Sequence, residues 1–449
     1  MVAFQSRRIR ELLGVRLEEA QYHHFMSLVS NKVSEAFDLD FKAKLYGNAE
    51  RDKKALAGDV AALANTAGGL LILGIEEDDQ ARARTAPGVS VADAEVGRIR
   101  QIVAANVVPF PQLDVLPIED PGRPGHGLLV IAVPRSPLAP HAVLVGDGLR
   151  YPRRNGATTR YLSEPEIATA YRERFASAHG QVERAGQIEQ EALGRLSRKD
   201  HKCWVVVSLV PDLPGEFLVD QAALRAIKSE LISQRPMIMP TSLSWLRAGV
   251  GRRRLMVDDA GGDLMPNYLS ADLHQDGAGT FAVNAQEVAR QHYGPDADND
   301  ERWLNDEQTV NAILSGLYFL GFHARDRASA GGNALVRVRV HPDTDGPVYL
   351  GSGQRGISPT LSQRLKVPVS PAECVAPLET LASQGPDLIA TAYLLATELF
   401  QEFGLPECGQ LTRDGQIRIR YWSAPPWPAF IQQWAPSVGV TISSEALAG

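Results

Sequence analysis

The sequence predicts a mixed α/β protein with two domains. Its 449 residues exceed one ordinary domain, and 44% of them are hydrophobic against 22% charged, which is typical of a globular protein. In the N-terminal part, apolar residues at helical spacing, Leu56, Val60 and Leu63, precede a nearly continuous apolar run, Leu70–Ile75. A helix next to a short buried strand indicates an α/β fold.

Residues 1–175 are expected to form the first α/β domain. We predict helices over residues 9–29, 52–64 and 94–106, and a further helix from the capping box Ser163-Glu-Pro-Glu166 to about Phe175. Glycine, proline and aspartate turns separate the apolar runs between these helices. The predicted strands cover residues 37–41, 70–75, 113–118, 128–133, 142–145 and 149–154.

A second α/β domain is expected over residues 201–449, after a helical linker at residues 176–200 that is polar and free of proline. Its role is left open between sensing a signal, positioning a substrate and mediating assembly. The predicted strands cover residues 203–209, 254–258, 280–283 and 334–340. The predicted helices cover residues 220–234, 305–320 and 377–403, and a hairpin is predicted over residues 410–422.

Composition excludes several classes of protein. The apolar runs are far shorter than the about 18 residues of a membrane helix, and no apolar segment follows the basic N-terminus, so neither a membrane span nor a secretory signal is expected. Three cysteines without a Cys-x-x-Cys pair argue against a disulfide framework or a structural zinc site. We therefore expect a cytoplasmic protein.

The net charge of −7 argues against a general nucleic-acid coat. That excess lies in residues 181–449, because the first 180 residues hold equal numbers of basic and acidic side chains. A neutral domain still binds phosphate when its charges are segregated. The sequence contains no P-loop, no Rossmann glycine motif, no GxSxG elbow and no HExxH motif, so the enzyme classes that depend on them have no support.

The candidate site consists of two acidic segments at strand ends. Glu35, Asp38 and Asp40 lie on or just before a short predicted strand, and Glu76–Asp79 follow the buried apolar run. Converging carboxylates cannot all stay ionised without a counterion, and Mg²⁺ or Mn²⁺ suits oxygen ligands. Such an ion activates water and neutralises a phosphodiester transition state.

Lys42 and Lys44 lie beside the first acidic segment and are candidates for holding the phosphate. The same segments also fit a structural interpretation. Acidic runs at strand exits are typical of solvated turns, and Asn65-Thr66 with Gly68-Gly69 is typical of a helix C-terminus. Residue patterns alone leave both interpretations open.

Taken in order, these segments resemble the AlbA_2 domain of the Schlafen family, which is also described as a family of divergent ATP-binding transcriptional regulators. The resemblance covers about residues 8–174. The matching pieces are Glu35, Asp40-Phe-Lys42, Ala64-Asn-Thr-x-Gly-Gly69, Gly74-Ile-Glu-Glu77, Pro140-His141, Tyr151-Pro-Arg-Arg-Asn-Gly156 and Glu166-Ile167.

The resemblance implies a small α/β domain that binds nucleic acid. In Schlafen nucleases three acids hold a metal ion, and the enzymes cleave structured RNA such as tRNA. Carried over residue by residue, the acids are Glu35, Asp40 and Glu77, expected to hold Mg²⁺ or Mn²⁺, and the lysine is Lys42. Position 40 is Asp where the family has Glu, and position 77 is Glu where the family has Asp. All three positions stay acidic, which favours a retained metal site.

Basic residues form two further candidate groups. Arg153, Arg154 and Arg160 lie on or near one strand and, with Lys44, are candidates for contacts to nucleic-acid phosphates. The alternative is a solvated edge strand, because basic residues commonly protect sheet edges. In the second domain, Arg252-Arg-Arg254 is more typical of the solvated start of a strand than of a binding patch.

The leading hypothesis is a metal-dependent endoribonuclease that cleaves structured RNA such as tRNA, a role that the resemblance connects with anti-phage defence. The alternative hypothesis is a nucleic-acid-binding transcriptional regulator without catalysis, for which DNA is a possible partner. A third hypothesis gives the AlbA-like domain only a scaffolding role in oligomers. Schlafen nucleases join two such lobes, and residues 201–449 contain no second copy of the motif, so a homo-oligomer is expected.

Overall fold

The computed structural model describes residues 6–146, 148–196, 203–233, 238, 246–259, 268–285, 302–342, 345–346, 348–351, 371–423 and 425–446. The chain separates into two compact units, Met1–Gly180 and Gln181–Gly449. Both units combine helices with strands, which confirms the predicted α/β class. No helix in the described part of the chain has the length and apolar character that crossing a bilayer requires.

Before its last strand, the described part of the first unit contains α-helices α1 (Arg7–Leu13), α2 (Tyr22–Ser30), α3 (Glu50–Ala64) and α4 (Asp93–Asn106). Helix α5 (Glu164–Leu193) follows the last strand and continues past residue 180. The strands are β1 (Leu39–Lys42), β2 (Gly68–Leu73), β3 (Glu76–Glu77), β4 (Ala83–Thr85), β5 (Val89–Ser90), β6 (Val107–Val108), β7 (Asp114–Glu119), β8 (His126–Pro134), β9 (Ala142–Val145), β10 (Gly148–Arg150), β11 (Pro152–Asn155) and β12 (Thr158–Tyr161).

Three predicted elements of this unit need correction. The single helix predicted over residues 9–29 is two helices, because Gly14 ends α1 with a left-handed φ of 75°. The strand predicted over residues 149–154 is divided into β10 and β11. The helix predicted to end near Phe175 continues to Leu193 as α5.

A central sheet in the order β1-β2-β8-β5, with β7 also paired to β8, forms the middle layer of the first unit. β1 and β2 are parallel, and Asp40 lies opposite Leu71 in their register. β2 and β8 are antiparallel. Both faces of β2 and most of β8 are buried, which explains why these strands are continuous apolar runs rather than alternating ones.

Helices cover both faces of this sheet. On β2, Leu71 packs in the cluster with α3 and α4, whereas Leu70 packs in the cluster with α1 and α2. Successive side chains of a strand point to opposite faces. On β1, Leu39 and Phe41 join the α1 and α2 cluster, so Asp40 between them points to the face that α3 covers. A carboxylate is therefore placed inside the layer between sheet and helix.

The second unit contains helices α6 (Gln221–Ser233), α7 (Asp306–Phe322), α8 (Leu378–Leu381), α9 (Pro386–Gln401) and α10 (Trp427–Ser437). Its main sheet is antiparallel, in the order β14-β15-β16-β17-β13-β19-β21. The strands are β13 (Cys203–Leu213), β14 (Leu246–Gly251), β15 (Arg254–Asp259), β16 (Leu269–His274), β17 (Gly279–Asn284), β18 (Arg302–Asn305), β19 (Gly331–Pro342), β20 (Val348–Gly351), β21 (Ala372–Pro377), β22 (Ile417–Arg418) and β23 (Ile442–Ser443).

The interior strand β13 shows why α5 extends beyond its predicted end. Val205 and Val207 pack in the main core with α7, whereas Val210 packs against Ala185 and Ile188 of α5. The last turns of α5 therefore have an apolar face to bury, and burial of such a face stabilises a helix more than propensity does.

Two predictions in this unit need correction. The helix predicted over residues 377–403 is two helices, α8 and α9, and α9 restarts at Pro386, which favours the first turn of a helix. The hairpin predicted over residues 410–422 is reduced to one bridge between Leu411 and Ile417, because β22 pairs instead in parallel with β23. Gln234, the last residue of another predicted helix, lies outside the described residues.

Candidate functional site

Asp40 lies at the centre of the candidate site. The residue is 1% exposed, and a separate cation bonds each carboxylate oxygen. Lys42 Nζ donates to Oδ1 at 2.6 Å, and Arg154 Nη1 donates to Oδ2 at 3.0 Å. Burial acts to raise the pKa of Asp40, but the hydrogen bond from Glu35 and the charges of Lys42 and Arg154 hold it below its usual value. Asp40 is therefore an ionised carboxylate in a buried position.

Glu35 lies beside Asp40, in the segment that precedes β1. Its Oε1 accepts the backbone N–H of Phe41 at 2.6 Å, and its own backbone N–H donates to the carbonyl of Ala81 at 2.7 Å. Burial, then the hydrogen bond and charge of Asp40, raise the pKa of Glu35 to about 8. Glu35 is therefore protonated at neutral pH, and its O–H donates to Asp40, which lets two carboxyl groups lie side by side.

Asn65 and Thr66 connect the end of α3 to β11. Asn65 Nδ2 donates to the carbonyls of His141 and Pro152, each at 2.8 Å, and Oδ1 accepts the His141 N–H at 2.6 Å. Thr66 Oγ1 accepts the backbone N–H of Arg154 at 3.0 Å. Asn65 is the C-cap residue of α3, as the structural interpretation expects, but its side chain holds a distant strand. The bonds from Asn65 and Thr66 hold β11 so that the guanidinium of Arg154 reaches the carboxylate of Asp40.

Gly68 and Gly69 allow β2 to lie against its neighbours. Gly68 has a left-handed φ of 76°, and a Cβ there would lie 2.6 Å from the carbonyl oxygen of Val133. A Cβ on Gly69 would overlap the backbone of Asp38. Glycine is required at both positions because a side chain would push the strands apart. This close approach fixes the register that puts Asp40 opposite Leu71.

Tyr46 and Asp59 extend the cluster, and sequence analysis missed both. The Tyr46 hydroxyl donates to Asp59 Oδ2 at 2.6 Å, and burial, then the charge of Asp59, raises the pKa of Tyr46 far above its usual value. Burial also raises the pKa of Asp59, and the charge of Asp40 adds to that effect. In the sequence, the one local indication of this pair is the carboxylate of Asp59 directly before Val60, which lies on the apolar face of the predicted helix.

Glu77 is exposed on β3, which forms a short hairpin with β4. Within the described ranges, no three or more His, Cys, Asp or Glu side chains form a group that could hold a metal ion. Glu77 therefore does not complete a metal-ligating group with Glu35 and Asp40 in this structure. Asp38, the other acid of the segment, is buried and paired with Arg8 of α1.

Both oxygens of Asp40 accept hydrogen bonds from cations of the protein itself. Burial and the neighbouring Asp40 raise the pKa of Glu35, and metal ligands bind in their deprotonated form, so binding of a divalent ion would release a proton from Glu35. Metal ligation by Glu35, Asp40 and Glu77 stays a prediction.

The hairpin of β11 and β12 carries the other predicted basic residues. Arg153 and Arg160 are exposed and lie directly opposite each other, and like charges in this position repel. Arg160 is also bonded to Glu166, at 3.0 and 2.6 Å. Lys44 is exposed just after β1. Arg154, by contrast, is 6% exposed, and its guanidinium bonds Asp40 and the carbonyl of Ala36 rather than facing solvent.

Two solved structures are similar to part of the chain. One match is the DIP2311 protein from Corynebacterium diphtheriae, at 22% identity over 37% of this chain and 29% of that chain, with a TM-score of 0.24. Another is the N-terminal domain of a "Putative ATP-dependent DNA Helicase RecG-related Protein" from Nitrosomonas europaea, at 22% identity over 30% of this chain and 89% of that chain, with a TM-score of 0.21. The chain thus spans about 29% of the length of the first.

No curated protein matches this sequence. A family comparison does give a match, and it covers the segment that contains Glu35, Asp40, Lys42, Glu77 and Arg154. The matching description is "Schlafen, AlbA_2", which supports a nucleic-acid-related function. Residues 35–163 therefore match the Schlafen AlbA_2 family, as the order of the sequence motifs predicts.

Proposed function

We propose that this protein is an endoribonuclease of Schlafen type that acts on structured RNA such as tRNA. The observation that carries the proposal is the convergence of the segment that holds Glu35, Asp40 and Lys42 with Arg154, from a distant part of the chain, into one partly buried cluster. Burying charged groups is costly for stability, and strongly perturbed ionisable groups concentrate at functional sites.

Lys42 is the group of this cluster suited to meet the substrate. Its side chain is 34% exposed, whereas that of Asp40 is 2% exposed. Burial acts to lower the pKa of Lys42, but the charge and hydrogen bond of Asp40 raise it above its usual value, so the ammonium stays charged at neutral pH. A fixed cation of this kind stabilises charge that develops on a phosphate during cleavage.

The exposed cations near the cluster supply binding rather than chemistry in this proposal. Arg153 and Arg160 on the hairpin, and Lys44 after β1, are exposed and are suited to contact phosphates that flank the scissile one. Arg154 acts as a positioning residue, because its guanidinium is buried against Asp40. Mg²⁺ or Mn²⁺ is an expected cofactor carried over from the family resemblance, and it requires a separate test.

A nucleic-acid-binding regulator without catalysis is the second candidate function. Two observations favour it: Glu77 is exposed on β3, and both oxygens of Asp40 are held by protein cations. A cluster that only stabilises the fold would also need cations beside its buried carboxylate. The two candidates agree on nucleic-acid binding and differ only in cleavage.

The deciding experiment incubates the purified full chain with total tRNA in Mg²⁺, in Mn²⁺ and in EDTA, and analyses each reaction on denaturing and native gels. Lys42→Met is the test variant, and Lys53→Met, which removes a partly exposed lysine of α3 that is paired with Glu50, is the matched control. Fragments that disappear with Lys42→Met but persist with Lys53→Met support the nuclease. Intact RNA in every lane with a clear mobility shift supports the regulator. The EDTA lanes test the metal independently of Lys42.

A further inference from the structure

A basic pocket lies in the second unit, within residues 181–449. Its volume is about 390 Å³, which is in the range of small-molecule sites. The turn between β14 and β15, the turn between β16 and β17, and helix α5 line it. Neither the family match nor the site around Asp40 includes these elements. Any ligand of this pocket would give the second unit a function of its own.

Arginine dominates the lining of this pocket. Arg252, Arg253 and Arg254 come from the first turn and Arg184 comes from α5, against two carboxylates, Glu191 and Asp276. The net charge of the lining is therefore positive, and the pocket is complementary to an anion.

The two carboxylates are already paired. Arg184 Nε donates to Asp276 Oδ2 at 2.9 Å, and Arg254 bonds Glu191. Arg252 and Arg253 are exposed and have no carboxylate partner among the residues that the structure describes. The Arg253 guanidinium is oriented by Gln275, whose Oε1 accepts from Nε at 3.1 Å. Two positive charges at the rim thus remain for a ligand.

His274 provides a second, independent observation. It is 4% exposed and lines the pocket, and its Nε2 has no hydrogen-bond partner in the described part of the protein. Buried polar atoms without a partner are rare in native proteins. Burial, then the nearby charge of Arg184, lowers the pKa of His274 to about 4, so its imidazole is neutral at pH 7. A neutral imidazole with a free nitrogen at the pocket wall is suited to donate to a bound oxyanion.

We propose that this pocket binds a small molecule that carries phosphate groups, with Arg252 and Arg253 on the phosphate oxygens and His274 Nε2 as a further donor. Guanidinium groups match phosphate oxygens in geometry as well as in charge. The limited volume of about 390 Å³ favours a small ligand over an extended nucleic-acid strand. Such a site would make the second unit a sensor of a phosphorylated metabolite, which goes beyond the proposed cleavage of RNA.

The test measures binding of inorganic pyrophosphate, ATP and tRNA to the full chain by calorimetry. The double variant Arg252→Ala/Arg253→Ala removes the two exposed cations, and Arg247→Ala, an exposed arginine on β14 of the same hairpin, is the matched control. We expect pyrophosphate or ATP to bind and the double variant to weaken that binding about tenfold or more, as loss of charged hydrogen bonds does. Arg247→Ala should leave the affinity for these ligands unchanged. His274→Gln, added to the double variant, should weaken their binding further.

Three outcomes would overturn the proposal: neither pyrophosphate nor ATP binds, the double variant binds both as tightly as the wild type does, or the double variant loses affinity for tRNA alone. The last result would assign the arginines to an RNA surface. Because Arg252 and Arg253 are exposed, their loss should not unfold the protein. The cleavage assay of Lys42→Met and the binding assay of Arg252→Ala/Arg253→Ala are separate measurements at different residues, so failure of this proposal is distinguishable from failure of the nuclease.

Discussion

Arg154 donates from Nη1 to Oδ2 of Asp40 at 3.0 Å, although the two residues are 114 positions apart in the chain. The side chains are 3% and 2% exposed, so the pair is closed off from water. Asn65 and Thr66 hold the strand of Arg154 in place. The motifs at residues 40, 65 and 154 therefore build one ion pair together.

Replacing Arg154 by methionine should destabilise the first unit by about 3 kcal/mol, because it leaves a buried carboxylate with one cation in place of two. Urea unfolding of the full chain measures the change. Arg153→Met, at the exposed neighbouring position, should change stability by less than about 0.5 kcal/mol. Adding Asp40→Asn to Arg154→Met should recover part of the loss. Equal stability of Arg154→Met and the wild type would contradict a buried ion pair.

Two glycine-to-alanine substitutions should change the stability of the protein in opposite directions. Gly69→Ala should destabilise the protein, because its Cβ would overlap the backbone of Asp38 where β1 and β2 meet. Gly58→Ala on α3 meets nothing within 4 Å and should stabilise the protein by about 0.5–1 kcal/mol, the usual gain from removing a glycine inside a helix. Thermal unfolding of both variants checks this. A tolerated Gly69→Ala would show that the strands do not approach as closely as described.

Acid should destabilise the second unit through two buried histidines. Burial is the largest cause that lowers the pKa of His274 to about 4 and that of His323 to about 3. Their folded-state pKa values lie below the unfolded value of about 6.5, so the unfolded chain takes up protons first. Stability is complete above pH 6.5 and falls as pH decreases toward 3.

The test is urea unfolding between pH 7 and pH 4, with His323→Gln and with His23→Gln, at an exposed histidine, as its control. The wild type should lose roughly 6 kcal/mol over this range, about half of it from each histidine. His323→Gln should lose less, and His23→Gln should follow the wild type. Equal slopes for all three proteins would show that His323 does not control the acid response.

RNA affinity should depend on Arg153 through salt-sensitive phosphate contact. Arg153 is exposed on the basic hairpin, whereas Arg160 beside it is already bonded to Glu166. Arg153→Ala should weaken tRNA binding and reduce the slope of log K against log salt by roughly 0.7–0.9, the loss expected from one phosphate contact. Arg172→Ala, at an exposed position of α5, should leave the slope unchanged. An unchanged slope for Arg153→Ala would place the RNA elsewhere.

Local sequence predicted much of the first unit. Apolar periodicity found α3 and β2, because both are local patterns with a single buried arrangement. Gly14, which ends α1 at a left-handed φ of 75°, was passed over because the apolar pattern continues on both sides of it. In the second unit, the division of α8 from α9 was likewise missed at Pro386.

The candidate site was predicted in part. Glu35, Asp40 and Lys42 lie within one short segment, and the structure brings them together. The roles of Asn65 and Arg154 were not predicted, because they depend on contacts between strands and loops far apart in the chain. Whether Glu77 joins the cluster also depends on tertiary packing, and its local spacing gave no way to see its exposed position on β3.

The rate of tRNA cleavage by Lys42→Met, compared with wild type and Lys53→Met, tests the central claim most directly. All three proteins should be compared at equal folded fraction, verified by their melting curves. Loss of a preorganised cation at the scissile phosphate should reduce the rate by about 100-fold or more, and Lys53→Met should cleave like the wild type. Cleavage by Lys42→Met at the wild-type rate would contradict the assignment of the Asp40 cluster as the catalytic site.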